Sequence, residues 1–519
     1  MTSDAQYEVD FEWEEDNPLN WPTWYKTLII FVMSYSTTCV VLTSTSFTSA
    51  IPGLEKSFGI SDAEGILGVT TYLLGIAVGA LFLAPLSEMY GRKPCYVVSL
   101  ALFLVFVAVC AEAQNMATIL TIRFFSAFCA SAMISNAPGS VNDIVTEKYR
   151  ALAFSIWSIG PANGPVLGPV IGGFVYQYLG WRWTFWVVVA AAGSAWLMVS
   201  AIKETYTPAI LRKRAAKLRK ETGDERYHSA YDNKLKFGAL LKVNLSRPFI
   251  MAATEPICMF WDIYIALVYG ILYLCFVAYP IVFGGLRGWS SGFVGLSFVG
   301  IGVGGMIAIV CEPLIRKWID RSKPDADTPP PPEAMVSVVC LGAILIPAGQ
   351  IWFSWTCTPN VHWIWPIVAG IPFGCGNNLV FIYASAYLVH SYDIFAASAL
   401  AGNAVLRSIM GATLPLAAPP LFAALGPNWG GTLLGMLEVV CIPIPFIFYR
   451  YGAKIRGRSK LIRAMRENKE KAERKKRKAD EKVRKRAEAD AAEAAGMATG
   501  AAVVESVVIE TDLEKGGKK

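Results

Sequence analysis

Long apolar runs constrain the fold of this chain more than any other feature. Twelve runs, each about 20 residues or longer, alternate with short polar segments. A helix needs about 20 apolar residues to cross a hydrocarbon core of about 30 Å, and a spanning segment must satisfy its backbone hydrogen bonds internally. The pattern therefore predicts an all-α integral membrane protein. The runs lie at about 26–50, 66–87, 94–113, 116–138, 151–178, 183–202, 249–284, 289–312, 334–356, 363–389, 394–424 and 429–450.

A hydrophilic stretch at 203–248, rich in Lys and Arg, separates the runs into two sets of six. Composition excludes a soluble globular protein, since 54% of residues are hydrophobic and only 17% are charged. The 11 cysteines are scattered, mostly within apolar runs, and predict neither a disulfide framework nor a zinc site. We predict an N-terminal segment (1–25), a six-helix half (26–202), a central loop (203–248), a second six-helix half (249–450) and a charged tail (451–519).

Loop charge predicts the orientation. Loops after the even-numbered runs carry most of the Lys and Arg, and such loops stay in the cytosol. Both termini and the central loop are therefore expected to be cytosolic, and the acidic, aromatic first 25 residues do not resemble a signal peptide. The tail alternates basic and acidic residues, which is typical of a solvated helix, although its basic part could also lie on anionic lipid. The orienting residues are Arg92, Lys93, Lys148, Arg150, Arg316, Lys317, Arg321 and Lys323.

A stripe of glycines and prolines occupies the fifth run. Glycines recur at every fourth position, and three of them precede a proline, inside an otherwise apolar segment. Glycines at this spacing let a second helix approach closely in lipid, and interior prolines bend the helix. Two interpretations remain open: tight packing of a static helix, or a pivot between two moving helix bundles of a transporter. The stripe comprises Gly160, Pro161, Gly164, Pro165, Gly168, Pro169 and Gly172.

The loop at 84–94 carries a recognisable motif. It resembles the loop G-x-L-a-D-r-x-G-r-k between the second and third helices of the major facilitator superfamily. Glu88 stands in the position of the Asp, Gly91 matches the second Gly, and Arg92 and Lys93 match the basic pair; the sequence departs from the pattern at Ala84 and Met89. The resemblance implies a latch between the two halves, and we expect Asp143 to be a cap or a partner of this latch.

The resemblance extends over most of the chain. The fifth-run stripe looks like the motif of antiporters in this family, and stretches within 204–223, 254–273 and 387–407 resemble the fungal 12-helix drug:proton antiporters. In proton-coupled exporters of the family, the Arg that matches Arg123 is implicated in proton transfer. Arg123 lies only about two turns inside its run, so a side chain that extends to the membrane surface is the alternative.

Aromatic and polar residues of the seventh and eleventh runs predict a substrate cavity. Asp262 lies among amphipathic aromatic side chains, a combination suited to flat organic molecules. Asn403 and Arg407 lie one turn apart and share a helix face. Helix packing with Asp262 paired internally is the alternative. The predicted cavity residues are Trp261, Asp262, Tyr264, Tyr269, Tyr273, Asn403 and Arg407.

These features predict proton-coupled efflux of amphipathic organic compounds by alternating access, from a fungal plasma membrane. The compound would be a drug-like toxin or a secondary metabolite. We expect small molecules, protons and the bilayer as partners, with no cofactor, metal, nucleic acid or obligate protein partner. Two alternatives are an uptake permease of the same fold and a membrane-embedded hydrolase that uses Ser290 of a G-x-S-x-G match. The G-x-S-x-G match and the G-x-G-x-x-G match at 300–305 are both better explained by helix packing.

Overall fold

The computed structural model describes residues 7–11, 16–146, 149–232, 237–323, 330–392, 395–459 and 461–465, with isolated positions beyond them. Lys148 and most of the predicted charged tail lie outside the described residues. The chain forms two compact units, Met1–Ile455 and Arg456–Lys519. The described part of the chain is helical, and its β-structure is limited to an isolated bridge between Glu8 and His228.

Local sequence sets the helix boundaries of the first half. Ser61 and Glu64 form a capping box, in which the Glu64 carboxylate accepts from the Ser61 N–H at 2.8 Å. Gly91 (φ +107°) and Gly180 (φ +87°) adopt backbone conformations that favour glycine, and they separate successive helices. The helices are α1 (Thr23–Ser46), α2 (Ile51–Phe58), α3 (Asp62–Tyr90), α4 (Arg92–Ala111), α5 (Met116–Ile144), α6 (Arg150–Leu179), α7 (Trp181–Ala201) and, in the central loop, α8 (Thr207–Thr222).

The second half contains more interrupted helices. A π-helical turn, Pro280–Leu286, extends α10, and Gly426 (φ 69°, ψ 171°) breaks the path of α17. The helices are α9 (Phe237–Thr254), α10 (Pro256–Tyr279), α11 (Ser291–Leu296), α12 (Val299–Val310), α13 (Glu312–Asp320), α14 (Pro332–Thr356), α15 (Ile364–Tyr392), α16 (Ala396–Thr413), α17 (Ala418–Cys441) and α18 (Pro443–Arg458).

The prediction of a twelve-helix membrane fold is confirmed. Among the described residues, ten segments are long and apolar enough to cross a membrane. One of them, Ala396–Arg458, is 63 residues long, and the break at Gly426 divides it into two crossings. Helix α6, 30 residues long with three interior prolines, supplies the twelfth.

The two halves meet at one end of the helix bundle. We call the end with the 91–93 loop and α8 the basic end, and the opposite end the far end. At the far end, the Thr70 hydroxyl donates to the Ala412 carbonyl at 2.6 Å, joining α3 to α16. An apolar groove of about 480 Å³ lies between α6 and α12, and its lining residues include Val166 and Val310. Direct contacts between the halves are therefore present at the far end.

Candidate functional site

Arg123 is buried inside the first half. Its side chain is 1% exposed, and its Nε donates to the Gly68 carbonyl oxygen at 2.8 Å, while Nη2 lies 3.5 Å from the Thr43 carbonyl oxygen. The guanidinium lies 4.0 Å from the ring centroid of Phe47 and 4.9 Å from that of Tyr72. Arg123 therefore binds α1 and α3 in the interior, and the alternative of a side chain extended to the membrane surface is wrong for this conformation.

Carbonyl oxygens and aromatic faces, instead of a carboxylate, surround this cation. Among the described residues, no Asp or Glu forms a salt bridge with Arg123. An Arg side chain keeps its proton in proteins. The role of Arg123 in proton coupling stays a prediction, and such a role would act through its charge.

The predicted latch residues Arg92 and Asp143 lie together at the basic end. Arg92 Nε lies 3.7 Å from Asp143 Oδ2, and Nη1 donates to Ser87 Oγ at 2.6 Å. The Arg92 guanidinium also lies 5.0 Å from the ring centroid of Tyr206. Burial is the main cause that raises the pKa of Tyr206, so its ring remains a neutral phenol beneath the cation.

Glu204 is a residue of this cluster that the sequence did not single out. Its carboxylate accepts from the backbone N–H groups of Arg92 (3.0 Å) and Lys93 (3.1 Å), at the N-terminus of α4. An anion is stabilised there by free N–H groups and by the helix dipole. Gly91 is required beside it, because a Cβ at that position would lie 2.5 Å from Glu204 Oε2. Residues 91 and 204 are far apart in sequence, so local spacing contains no signal for this contact.

The carboxylate of Glu88, in contrast, is exposed and makes no hydrogen bond or salt bridge to a described residue. The same loop is held by Arg212 of α8, whose Nη2 donates to the carbonyl oxygens of Glu88 (3.1 Å) and Met89 (2.9 Å) at the C-terminus of α3. Lys93 contributes its backbone N–H, which donates to the Glu204 carboxylate. The latch roles of Glu88 and Lys93 therefore stay predictions.

The glycine stripe packs on α1 of its own half, which favours the interpretation of tight packing, and the pivot stays a prediction. A Cβ at Gly164 would lie 3.0 Å from Val41 Cβ, and one at Gly168 would lie 2.7 Å from the Ser46 nitrogen. Gly160 and Gly172 likewise face Thr38 and Ser46. The stripe makes α1 and α6 a closely packed pair, and a pivot at α6 would have to move α1 with it.

The prolines of α6 leave backbone carbonyls without their helical donors. Pro161 has no N–H for the carbonyl of Trp157, and the Ser34 hydroxyl of α1 donates to that oxygen at 3.0 Å. Ser34 Oγ also accepts from the Gly160 N–H at 3.1 Å. A neighbouring side chain thus replaces the lost helical bond, as lipid requires.

A different face of α6 meets the second half. A Cβ at Gly173 would lie 3.1 Å from the carbonyl carbon of Ser291, and the Gln177 side chain accepts from the Gly292 N–H at 3.0 Å. Farther along, Asn163 Nδ2 lies 3.2 Å from Met306 Sδ. The α6 contacts between halves are therefore direct backbone approaches at the far end and side-chain contacts towards the basic end.

Asp262 is a buried carboxyl that is only partly satisfied. It is 1% exposed; Oδ1 accepts from Asn403 Nδ2 at 3.0 Å, and Oδ2 has no hydrogen-bond partner among the described residues. Arg407 lies 5.3 Å from the ring centroid of Tyr269 and 4.7 Å from that of Phe381. The predicted residues of α10 and α16 are thus brought together, and their role in binding stays a prediction.

The other predicted cavity aromatics are packed away in this conformation. Trp261 is fully buried, with its ring centroid 5.5 Å from that of Tyr387 and 5.4 Å from that of Phe448, and Tyr264 packs beside it. These rings fill the interior of the second half, so the prediction that they line an open cavity is not met here. Tyr273 is also buried, and its hydroxyl lies 3.1 Å from that of Ser44 across the two halves.

Comparison with known proteins agrees with this architecture. The family model described as Major Facilitator Superfamily matches residues 33–415. The chain belongs to the major facilitator superfamily. It is therefore a multi-pass membrane protein of a transporter family. Its similarity to the xylose transporter XylE from E. coli, in a partially occluded inward open conformation, shows the fold alone: the TM-score is 0.60 at 14% identity, over 83% of this chain and 98% of XylE.

Fungal relatives of the family are more similar in sequence. The major facilitator superfamily multidrug transporter mdrA of Aspergillus fumigatus is 39% identical over 464 residues, covering 88% of this chain and 76% of the relative. The MFS-type efflux pump MFS2 of Trichophyton rubrum is 41% identical over 449 residues, covering 86% and 75% respectively. The predicted resemblance to fungal transporters of this family is confirmed.

The two enzyme-like motifs have structural explanations. Gly302, within the G-x-G-x-x-G match, lies in α12, where a Cβ would be 3.0 Å from Val166 Cγ1 of α6. Ser290, of the G-x-S-x-G match, occupies the N-cap position of α11. Neither motif follows a strand in the described part of the chain, as a dinucleotide loop or a nucleophile elbow would.

Proposed function

We propose that this chain is a proton-coupled efflux transporter that exports amphipathic organic compounds by alternating access. The interface between the halves carries this proposal: direct contacts join the halves at the far end, and an apolar groove lies between α6 and α12. Two helix bundles that meet through a few direct contacts fit a fold that works by alternating access. The names of the fungal relatives, a multidrug transporter and an efflux pump, support export as the direction.

The basic end is the proposed cytosolic end. Arg92, Arg150, Arg316 and Lys317 lie in segments near this end, and cytosolic loops carry the excess of basic residues. The conformation would then be inward-facing, ready to accept substrate from the cytosol or the inner leaflet. We propose the plasma membrane as the location and cytosolic positions for both termini.

The proposed roles follow from contacts and charges. Asp262, supported by Asn403, supplies a negative group to the substrate or to a proton, and Arg407 with Tyr269 lies along the same two helices. Arg123 acts within the first half through its positive charge. Arg92, Asp143 and Glu204 hold the 91–93 loop in place. This loop, with Glu88, would latch the two halves. Helix α6 would move as a pair with α1. The proposed partners are a small organic substrate, protons and lipid.

A transport assay tests the direction and the energy source. The full chain is expressed in yeast cells that lack their own drug pumps, and the accumulation of the fluorescent cation rhodamine 6G is followed with and without a protonophore. We expect lower accumulation than in control cells, with the difference abolished by the protonophore. Higher accumulation in expressing cells would instead identify an uptake permease. Labelling of Ser290 by a fluorophosphonate, absent in Ser290→Ala, would support the hydrolase.

A topology assay tests the orientation separately. Epitope tags are inserted at Asp224 in the central loop and at Gly59 between α2 and α3. In intact cells we expect an antibody to reach the tag at Gly59 and not the tag at Asp224. The reverse pattern would contradict the proposed cytosolic position of the basic end.

A further inference from the structure

Glu438 is a carboxyl in the membrane interior without a partner. It lies in α17, its side chain is 3% exposed, and both carboxyl oxygens are buried without a hydrogen bond to any described residue. No described Lys, Arg or His forms a salt bridge with it. It differs in this respect from Asp262, whose Oδ1 accepts a hydrogen bond from Asn403.

Close helix packing encloses this side chain. A Cβ at Gly435 would lie 2.7 Å from Ile351 Cγ1 of α14, and one at Gly431 would lie 3.0 Å from Ser354 Cβ. Glu438 follows Gly435 by three residues and therefore shares the helix face that packs on α14. Water has no access to this position in the present conformation.

The titratable groups that interact with Glu438 are uncharged. Helix α10 contributes Tyr264 and Cys275, and α17 contributes Cys441. Helix α14 adds two uncharged residues next to these groups. Cys340 interacts with Tyr264, and Gln350 Oε1 accepts from Cys275 Sγ at 3.6 Å. None of these groups supplies a positive charge that would stabilise a carboxylate.

The energetic cost of this arrangement determines the protonation state. A charged side chain at the centre of a membrane helix is costly even on the insertion scale, and more so without a partner. Glu438 is therefore a neutral carboxylic acid here. Even the neutral group leaves a buried donor and acceptors unsatisfied, which carries the desolvation penalty of those atoms. An apolar residue would be more stable at this position, so a function is the default interpretation of an intramembrane carboxyl.

We propose that Glu438 is a proton-carrying residue of the second half. In the present conformation its carboxyl holds a proton. When α17 separates from α10 and α14, water reaches the group, its O–H bond breaks, and the proton passes to water while the carboxylate stays on the protein. A proton from the other side of the membrane restores the neutral acid in the return step. This proposal rests on the proposed proton-coupled transport.

Transport by reconstituted full-length protein gives the first test. Glu438→Gln has nearly the same size but cannot release a proton, whereas Glu438→Asp keeps an acid. We expect Glu438→Gln to lose at least tenfold in rhodamine 6G export driven by a pH gradient, while exchange of the dye without a gradient continues. Glu438→Asp should retain part of the driven export. Val440→Ala, on an exposed face of α17, is the control for substitution in this helix and should transport normally. Driven export at the wild-type rate by Glu438→Gln would overturn the proposal.

Infrared difference spectroscopy gives a test that is independent of transport. We expect the carboxylic C=O band of a protonated buried acid in the wild type near neutral pH, shifted in Glu438→Asp and absent in Glu438→Gln. The band should lose intensity when rhodamine 6G binds or when the pH is raised. A band that is absent, or that responds to neither, would overturn the proposal even if Glu438→Gln fails to fold. If the band responds but the wild type exports no dye against a pH gradient, the proposed function fails while the protonation of Glu438 stands.

Discussion

Gly173 of α6 lies against Ser291 of α11, across the interface between the two halves, whereas its neighbour Gly172 lies against Ser46 of the same half. A Cβ at Gly173 would be 3.1 Å from the Ser291 carbonyl carbon, and one at Gly172 would be 2.8 Å from the Ser46 carbonyl oxygen. Two adjacent glycines thus serve different contacts: one closes the far end, and the other holds α6 to α1.

Gly173→Ala should oppose closure of the far end. Overpacking a close contact costs about 1–3 kcal/mol. Because this contact exists only in the closed arrangement, the cost should shift the population by roughly tenfold or more towards a state open at the far end. The measurement is the labelling of Asn163→Cys by a membrane-impermeant maleimide from each side of the membrane.

Gly172→Ala is the matched control for this substitution. Its added methyl group meets α1 of the same half, so we expect a lower thermal unfolding temperature without a change in the side from which Asn163→Cys is labelled. Equal shifts in labelling for both variants would contradict the distinction between the two glycines.

Arg123 should be required for its charge and for its fork of donors. Arg123→Ala leaves the Gly68 carbonyl without its 2.8 Å hydrogen bond and opens a cavity beside Phe47 and Tyr72. We expect pH-driven dye export to fall at least tenfold while dye binding persists, together with lower thermal stability. Arg123→Lys should restore part of the export, because the charge remains but the planar fork does not. Normal driven export by Arg123→Ala would exclude the coupling role.

Glu204 should stabilise the start of α4 more than Glu88 does. Glu204→Gln replaces one accepting oxygen by an NH₂ group that faces backbone N–H donors. We expect a loss of about 1–2 kcal/mol in the free energy of unfolding, as for a lost N-terminal cap. Thermal unfolding in detergent measures it. Glu88→Gln, whose carboxylate is exposed, should leave the unfolding temperature unchanged; equal losses in the two variants would contradict this assignment.

Asp262 should select for positive charge in the substrate. Asp262→Asn keeps a side chain of similar shape, and its amide oxygen can still accept from Asn403. We expect binding of the cation rhodamine 6G to weaken about tenfold, with binding of the neutral dye Nile red little changed, because only the charge is removed. Fluorescence anisotropy with purified protein measures both affinities. Equal weakening for the two dyes would indicate a structural role for Asp262.

Predictions that depend on the bilayer alone agree with the structure. The twelve apolar runs give the number of crossings, because the thickness of the hydrocarbon core sets the helix length and the chain must satisfy its backbone groups in every crossing. Turns were also predictable where the backbone requires glycine, as at Gly91. The pairing of Arg92 with Asp143 was inferable because their motifs resemble those of a known family.

Other contacts were decided by tertiary structure. A helical period identifies the face on which Gly160 and Gly168 lie, but it does not identify the helix that covers this face, which is α1. Glu204 caps α4 although it is more than a hundred residues distant. The environments of Trp261 and Glu438 also depend on several helices at once. The sequence by itself determined which segments cross the membrane, because each crossing is a local balance between one segment and lipid. Only the tertiary structure decided which faces meet, because apolar helix faces are equivalent towards lipid and are distinguished by close packing and by a few polar contacts.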